Sequence, residues 1–352
     1  MKATIERETL KNAMALLAPV AKGGTLPVLS AVLIEAAPKG GVILTASNLD
    51  QTLRVKCAAD VPEAGDLCVS AALLNKLAGE MDGDTVALTV GADKTLSLTC
   101  GSFSGRVLGM AADDFPPIPR VKGEAFAVTA DPFSLAAFAS EDETRHILNG
   151  VNLDAAEAGP LVAVATDGKR LAAMQFDAPG AAVNVTVPSV ACKLFAKLAA
   201  GGATLTTDGK MAVLTAGGLQ ATTKLIEGTF PNWRQVVPTG HKGAVVFEAP
   251  HLFAEAVRRV ALLTDEKSAA IKLEISSSSV RVSAASADIG SATETVAAQV
   301  DGPNVTVACN PAYLLAAIGR PAQYALRYED ALAPLVVEGG AFTAVIMPMR
   351  VA

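Results

Sequence analysis

Lys224-Leu225-Ile226-Glu227-Gly228-Thr229-Phe230-Pro231 closes on a large apolar residue followed by proline, and the chain repeats that ending on either side of it. Phe115-Pro116 stands 115 residues earlier and Met347-Pro348 stands 117 residues later, each closing a segment that reads as a strand. Dividing 352 residues by three gives about 117, so the interval is one third of the chain. The stretches Leu44-Thr45-Ala46-Ser47-Asn48, Val164-Ala165-Thr166-Asp167-Gly168 and Val282-Ser283-Ala284-Ala285-Ser286 recur at about 119 residues, each a strand running into a polar turn. A period this long reads as triplication of a whole domain, not as a short solenoid repeat. The expected domains are 1–122, 123–242 and 243–352.

Helical patterns recur in the same order. Leu10, Met14 and Leu17, then Leu135, Phe138 and Ala139, then Leu252, Ala256, Val260 and Leu263 carry the spacings of an amphipathic helix. Asp131-Pro132 reads as an N-cap followed by proline at the first helical position. A second helix in each third holds Leu73, Leu74 and Leu77, then Leu194 and Leu198, then Leu314 and Ile318. Ser70 and Asn310-Pro311 suit its start and Gly319 its end. Short alternating runs such as Thr85–Val90, Thr204–Thr207 and Ile271–Ile275 read as antiparallel strands. The fold class is α+β: three alike domains, each with two helices packed on antiparallel sheets.

Composition narrows the function. The chain is 51% hydrophobic, which excludes a disordered polymer. Apolar runs such as Leu161–Ala165 are far shorter than the roughly 20 residues of a membrane helix, and the polar start lacks a signal-peptide core. A cytoplasmic protein without membrane partners is expected. Cys57, Cys68, Cys100, Cys192 and Cys309 are odd in number and scattered, so neither a disulfide framework nor a zinc site is expected. The net charge is −6, with each third acidic, which by itself argues against a nucleic-acid partner.

Chemistry-bearing motifs are sparse. His146, His241 and His251 fit no metal-ligand spacing, and no glycine-rich phosphate loop or Ser-x-x-Lys pair occurs; Thr264-Asp265-Glu266-Lys267 reads as a loop. Asp142-Glu143-Thr144-Arg145-His146 also reads as a solvated loop. Thr166-Asp167-Gly168-Lys169-Arg170 has the composition of an Asx-type hairpin turn carrying two exposed cations, with phosphate binding or an unrecognised active site as the rival readings. No catalytic site, metal or cofactor is expected.

Thr25-Leu26-Pro27-Val28-Leu29, Asp114-Phe115-Pro116, Leu148-Asn149-Gly150, Ala165 through Ala172, Lys224 through Pro231 and the terminal Met347-Pro348-Met349-Arg350-Val351 together resemble the bacterial DNA polymerase III beta subunits. The resemblance runs from end to end. It implies a head-to-tail homodimer closing a six-domain ring around double-stranded DNA, bound without regard to sequence. It implies a processivity factor and no enzyme, with the polymerase III alpha subunit, the clamp loader and other short-peptide carriers as partners. A divergent paralogue with an accessory repair or mobile-element role is the alternative. A ring holds DNA by topology and needs to slide, so an acidic protein fits this role.

By the same resemblance, Arg7, Lys11, Lys22, Lys76, Arg145, His146, Lys193, Lys197, Arg258 and Arg259 face DNA, with Gly23 in the place of a DNA-contacting arginine. Ala72-Leu73 and Ser189-Val190 stand where many members carry a basic pair, and His146-Ile147 where an aromatic pair contacts DNA, so thin DNA contact is expected. The implied peptide groove takes Leu148, Thr166, Gly168, Lys169, Arg170, Leu171, Pro231, Gln235 and Val236 from the middle of the chain. It takes Tyr313, Leu332, Pro334, Val345, Met347, Pro348, Met349 and Arg350 from the last third. Lys169, Arg170 and Arg350 are expected at its rim, and Gln235 replaces a common arginine. Phe103, Val107, Leu262 and Leu263 are the expected dimer contacts, with Arg106 and Glu294 as an ion pair across the interface.

Overall fold

The computed structural model describes residues 1–22, 26–155, 160–178, 182–264 and 270–350. Gly23, Thr25, Asp265, Glu266, Lys267 and Val351 lie outside the described residues. Among these residues the α-helices are α1 (Arg7–Leu17), α2 (Ala71–Glu80), α3 (Asp131–Ser134), α4 (Ser189–Leu198), α5 (Pro250–Ala261) and α6 (Pro311–Ile318). With them come 26 strands among the described residues, so each third carries two helices among eight or nine strands.

The helices form where the pattern and caps require. Leu10, Ala13, Met14 and Leu17 make the buried stripe of α1. Ser70 Oγ accepts the Leu73 N–H at 3.4 Å at the start of α2, and Asn310 Oδ1 accepts the Ala312 N–H at 2.8 Å at the start of α6. Two helices depart from the periodicity. In the middle third, α3 lasts four residues and passes into a 3-10 turn, Leu135–Phe138, after which Ala139 is extended. Three-residue spacing suits a 3-10 turn as well as an α-helix, so the pattern alone does not separate them. On α5 the buried face is Phe253, Ala256, Val257 and Val260, while Leu252 is 47% exposed. Phe253, next to Leu252, begins an equally spaced apolar stripe, so the pattern leaves the phase open and packing decides it.

The chain divides into two compact units, residues 1–130 with 194–225, and 131–193 with 226–352. The first holds a 13-stranded antiparallel sheet, and α1 packs on α2. Within it Leu219–Lys224 pairs with Gln51–Cys57, so strands from the first and middle thirds share one sheet. The second unit holds a nine-stranded and a four-stranded sheet, and α5 packs on α6. Here Arg170–Phe176 pairs with Phe342–Ile346, Leu171 opposite Val345, which joins the middle and last thirds in the same way. That pairing sets the floor of the site described next.

Candidate functional site

The turn Thr166–Arg170 is fixed by its own side chains. Thr166 Oγ1 donates to the Arg170 carbonyl at 2.6 Å and accepts the Gly168 N–H at 3.0 Å. Asp167 Oδ1 accepts the N–H groups of Lys169 and Arg170, both at 2.9 Å. Gly168 sits at φ +85°, a conformation that favours glycine, and a Cβ there would come within 3.2 Å of Arg145 Nη1, so that exposed side chain would have to shift slightly. Beside the turn, the Met347 N–H donates to the Lys169 carbonyl at 2.9 Å and anchors the segment after the last strand.

These elements enclose an apolar groove of about 170 Å³. It gathers Leu148, Thr166, Gly168, Lys169, Arg170, Leu171, Pro231, Val236, Val345 and Met347, all expected from sequence, together with Phe230 and Trp233, which the sequence reading omitted. Leu171, Phe230 and Val345 are buried in one cluster with Leu148 and Trp233 packed against it. The Phe-Pro repeat marks Phe230 as a landmark without assigning it to a groove, and no motif in the sequence singles out Trp233. Gln235, Tyr313, Leu332, Pro334, Pro348, Met349 and Arg350 do not line this groove. Leu332 is exposed beyond a turn in which Asp330 Oδ1 accepts two backbone N–H groups, an arrangement that holds the Asp330 carboxyl below its ordinary range. Met349 bonds the Ala308 carbonyl at 2.7 Å.

Arg170 corrects the expectation of an exposed rim cation. Its side chain is 15% exposed. Its guanidinium bonds Asp167 Oδ2 at 3.0 Å and the Ala137 carbonyl at 2.7 Å, and it lies 4.5 Å from the Tyr313 ring centroid and 5.2 Å from that of Phe138. It braces the turn from behind. Lys169 alone of the turn's two cations stays free to meet solvent, since no ion pair engages it among the described residues.

The basic set is uneven. Lys22, Lys76, Lys193, Lys197 and Arg258 are exposed and form no ion pair among the described residues. Arg7 is drawn inward by the Gly83 carbonyl at 3.0 Å and by Glu8, which also takes Lys11 at 3.3 Å. Arg259 is neutralised by Glu294 at 2.6 Å and Glu255 at 3.3 Å, and the Glu294 carboxyl is held below its usual range by the bond from Arg259. Arg145 pairs loosely with Asp142 at 3.8 Å, and His146 is exposed beside it. Leu73 and Val190 are exposed at the starts of α2 and α4.

Of the expected dimer contacts, Leu262 is 79% exposed, Leu263 is half-buried, and Phe103 lies over Gly105, where a Cβ would stand 2.7 Å from the ring. Val107 is buried within its own sheet; the exposed neighbour is Leu108 at 84%. Alternation along a strand explains the swap, since adjacent residues face opposite ways. Strand Phe103–Met110 pairs with Gly65–Ser70 only at its far end, through Gly109 and Met110, so residues 103–108 leave an open edge. Among the described residues, strand Gly290–Ala297 pairs on one side only, with Ser279–Ser286. Arg106 and Glu294, expected to meet each other, already have partners within the chain, Asp93 at 3.2 Å and Arg259.

Among the described residues, no three His, Cys, Asp or Glu side chains gather as a metal site. All five cysteines are buried, and burial pushes the Cys57 thiol up to about 11 and those of Cys68 and Cys309 to about 12. No helix of the described residues is long and apolar enough to cross a membrane.

Family models of the DNA polymerase III beta subunit match the whole chain in order: the N-terminal domain over residues 1–119, the central domain over 121–232 and the C-terminal domain over 234–350. The chain is 30% identical over 375 residues to the beta sliding clamp of Caulobacter vibrioides, covering 100% of both chains. It is 31% identical over 306 residues to that of Synechococcus elongatus, covering 82% of this chain and 81% of the relative. Among solved structures, the DNA polymerase III subunit beta from Pseudomonas aeruginosa superposes with a TM-score of 0.91 at 29% identity, over 100% of both chains. A sliding clamp from Bartonella birtlesii bound to griselimycin superposes equally well, with a TM-score of 0.91 at 26% identity, again over 100% of both chains. The chain therefore belongs to the DNA polymerase III beta subunit family, the non-catalytic sliding clamps of bacterial replication.

Proposed function

We propose that two copies of this chain join head to tail through their open edges, Phe103–Leu108 of one against Gly290–Ala297 of the other, and close a ring on duplex DNA. Each end offers apolar surface, Leu108 and Leu262, to be covered. DNA passes through the ring without base readout, attracted weakly by the unpaired Lys22, Lys76, Lys193, Lys197 and Arg258, and the acidic remainder of the protein keeps that attraction weak enough for sliding. The chain thereby acts as a polymerase processivity factor in the cytoplasm.

The observation that carries the partner assignment is the apolar groove beside the Thr166–Arg170 turn. Its residues come from four separate stretches of sequence and leave concave apolar surface open to a short peptide. Its occupants are peptides of the polymerase alpha subunit, the clamp loader and other clamp-binding proteins, which therefore compete for it. The test of the ring is topological. Protein loaded on nicked circular DNA is retained through gel filtration in moderate salt and lost when the circle is cut once. Equal retention on circle and line would mean ordinary affinity binding and no encirclement.

A further inference from the structure

We propose that the cavity behind Trp233 is a second side-chain subsite of the peptide groove, suited to a tyrosine two positions from the residue that fills the first. This rests on the groove being a peptide site. The cavity measures about 430 Å³ against about 170 Å³ for the groove, and Trp233 lines both. The two also share a floor. Leu171 and Val345, paired across neighbouring strands, floor the groove, and Ala173 and Thr343, the pair two residues along, floor the cavity. Side chains two residues apart on a strand face the same way, about 6–7 Å from one another. Alternate side chains of an extended peptide have the same spacing. A peptide lying along these strands with one side chain in the groove thus brings the side chain two positions away over the cavity.

The dividing wall is held in place. Trp233 Nε1 donates to Asp154 Oδ2 at 3.2 Å, and Arg234 bonds the same oxygen at 2.5 Å while lying 4.4 Å from the indole centroid. The wall therefore divides the surface into two stations. The first station is almost wholly apolar, whereas the second adds the polar side chains of Gln175, Thr239 and Thr343. An aromatic ring with a polar tip matches that mixture, its body on Ala173 and its hydroxyl at the threonines or the amide.

Three labelled peptides test this by fluorescence anisotropy against the intact protein: one with a single leucine anchor in an alanine background, and two with tyrosine placed two positions before or after the leucine. On the native protein one tyrosine peptide binds about tenfold more tightly than the alanine peptide. The gain disappears in Thr343→Phe and in Gln175→Trp, which fill the cavity from its floor and from its exposed side, while the alanine peptide binds within about twofold of its native affinity. The subsite is overturned if neither tyrosine improves binding to the native protein, or if the gain survives both fillings. Failure of all three peptides to bind the native protein overturns the groove itself and the subsite with it.

Discussion

Thr166–Arg170 and Thr207–Met211 share four residues, Thr-Asp-Gly-Lys, and the same four hydrogen bonds. In the second turn Thr207 Oγ1 donates to the Met211 carbonyl at 2.8 Å and accepts the Gly209 N–H at 3.1 Å, and Asp208 Oδ1 accepts two further N–H groups. The glycines match as well, at φ +85° and +84°. Yet the first turn borders the apolar groove, whose lining includes none of residues 207–211. What separates them is the fifth residue and what lies behind it: Arg170 reaches Asp167, Ala137, Phe138 and Tyr313, and among the described residues the Met211 side chain makes no such bonds. Local sequence builds the turn, and tertiary contacts make it part of a site.

The sharpest way to break that comparison is to remove the brace. Arg170→Ala strands the largely buried Asp167 carboxylate and the Ala137 carbonyl, and is expected to cost about 2–4 kcal/mol in urea unfolding together with most of the peptide affinity. Met211→Ala should cost about 1 kcal/mol and leave peptide binding unchanged. Similar losses of peptide affinity in the two variants would put the brace out of consideration. A milder probe changes the shared glycine. Gly168→Ala and Gly209→Ala both force alanine to positive φ at about 1 kcal/mol. Gly209 has open space around it, whereas Gly168 faces Arg145, so only Gly168→Ala should also weaken peptide binding in a titration.

A third turn tests whether the backbone geometry is general. Ser47–Gln51 repeats the pattern, with Ser47 Oγ bonding the Gln51 carbonyl at 3.2 Å and Asn48 Oδ1 accepting the Gln51 N–H at 2.7 Å. Here the place of glycine is taken by Leu49, at φ +75° and half-exposed. Leu49→Gly should relieve that strain and raise stability by up to about 1 kcal/mol, against the loss expected at the other two turns. A decrease in the unfolding midpoint would show that Leu49 is held by packing worth more than the strain.

The repeat was legible because each third carries the same short motifs in the same order, and the caps at Ser70 and Asn310 and the polar turns at Ser47-Asn48 and Thr166–Arg170 because each rests on residues within a few positions of one another. The periodicity of α1 was legible for the same reason. Other features depend on distant residues. Arg170 reads as an exposed cation until Phe138 and Tyr313 are seen to enclose it. Arg259 likewise reads as a free charge until Glu294, 35 residues on, is seen to take it. Phe230 and Trp233 join the groove only through packing with Leu148, Leu171 and Val345, which no local pattern announces. The sharing of sheets between successive thirds, at Leu219–Lys224 and Phe342–Ile346, is invisible to any count of helices and strands within a third.

Amide hydrogen exchange of the protein with and without a polymerase alpha-subunit peptide tests the central claim most directly, since it reads the two Thr-Asp-Gly-Lys turns in one sample. Slower exchange is predicted over residues 166–171 and 342–347, with residues 207–211 unchanged. Equal protection of both turns, or protection confined to 207–211, would contradict the assignment of the groove as the partner site.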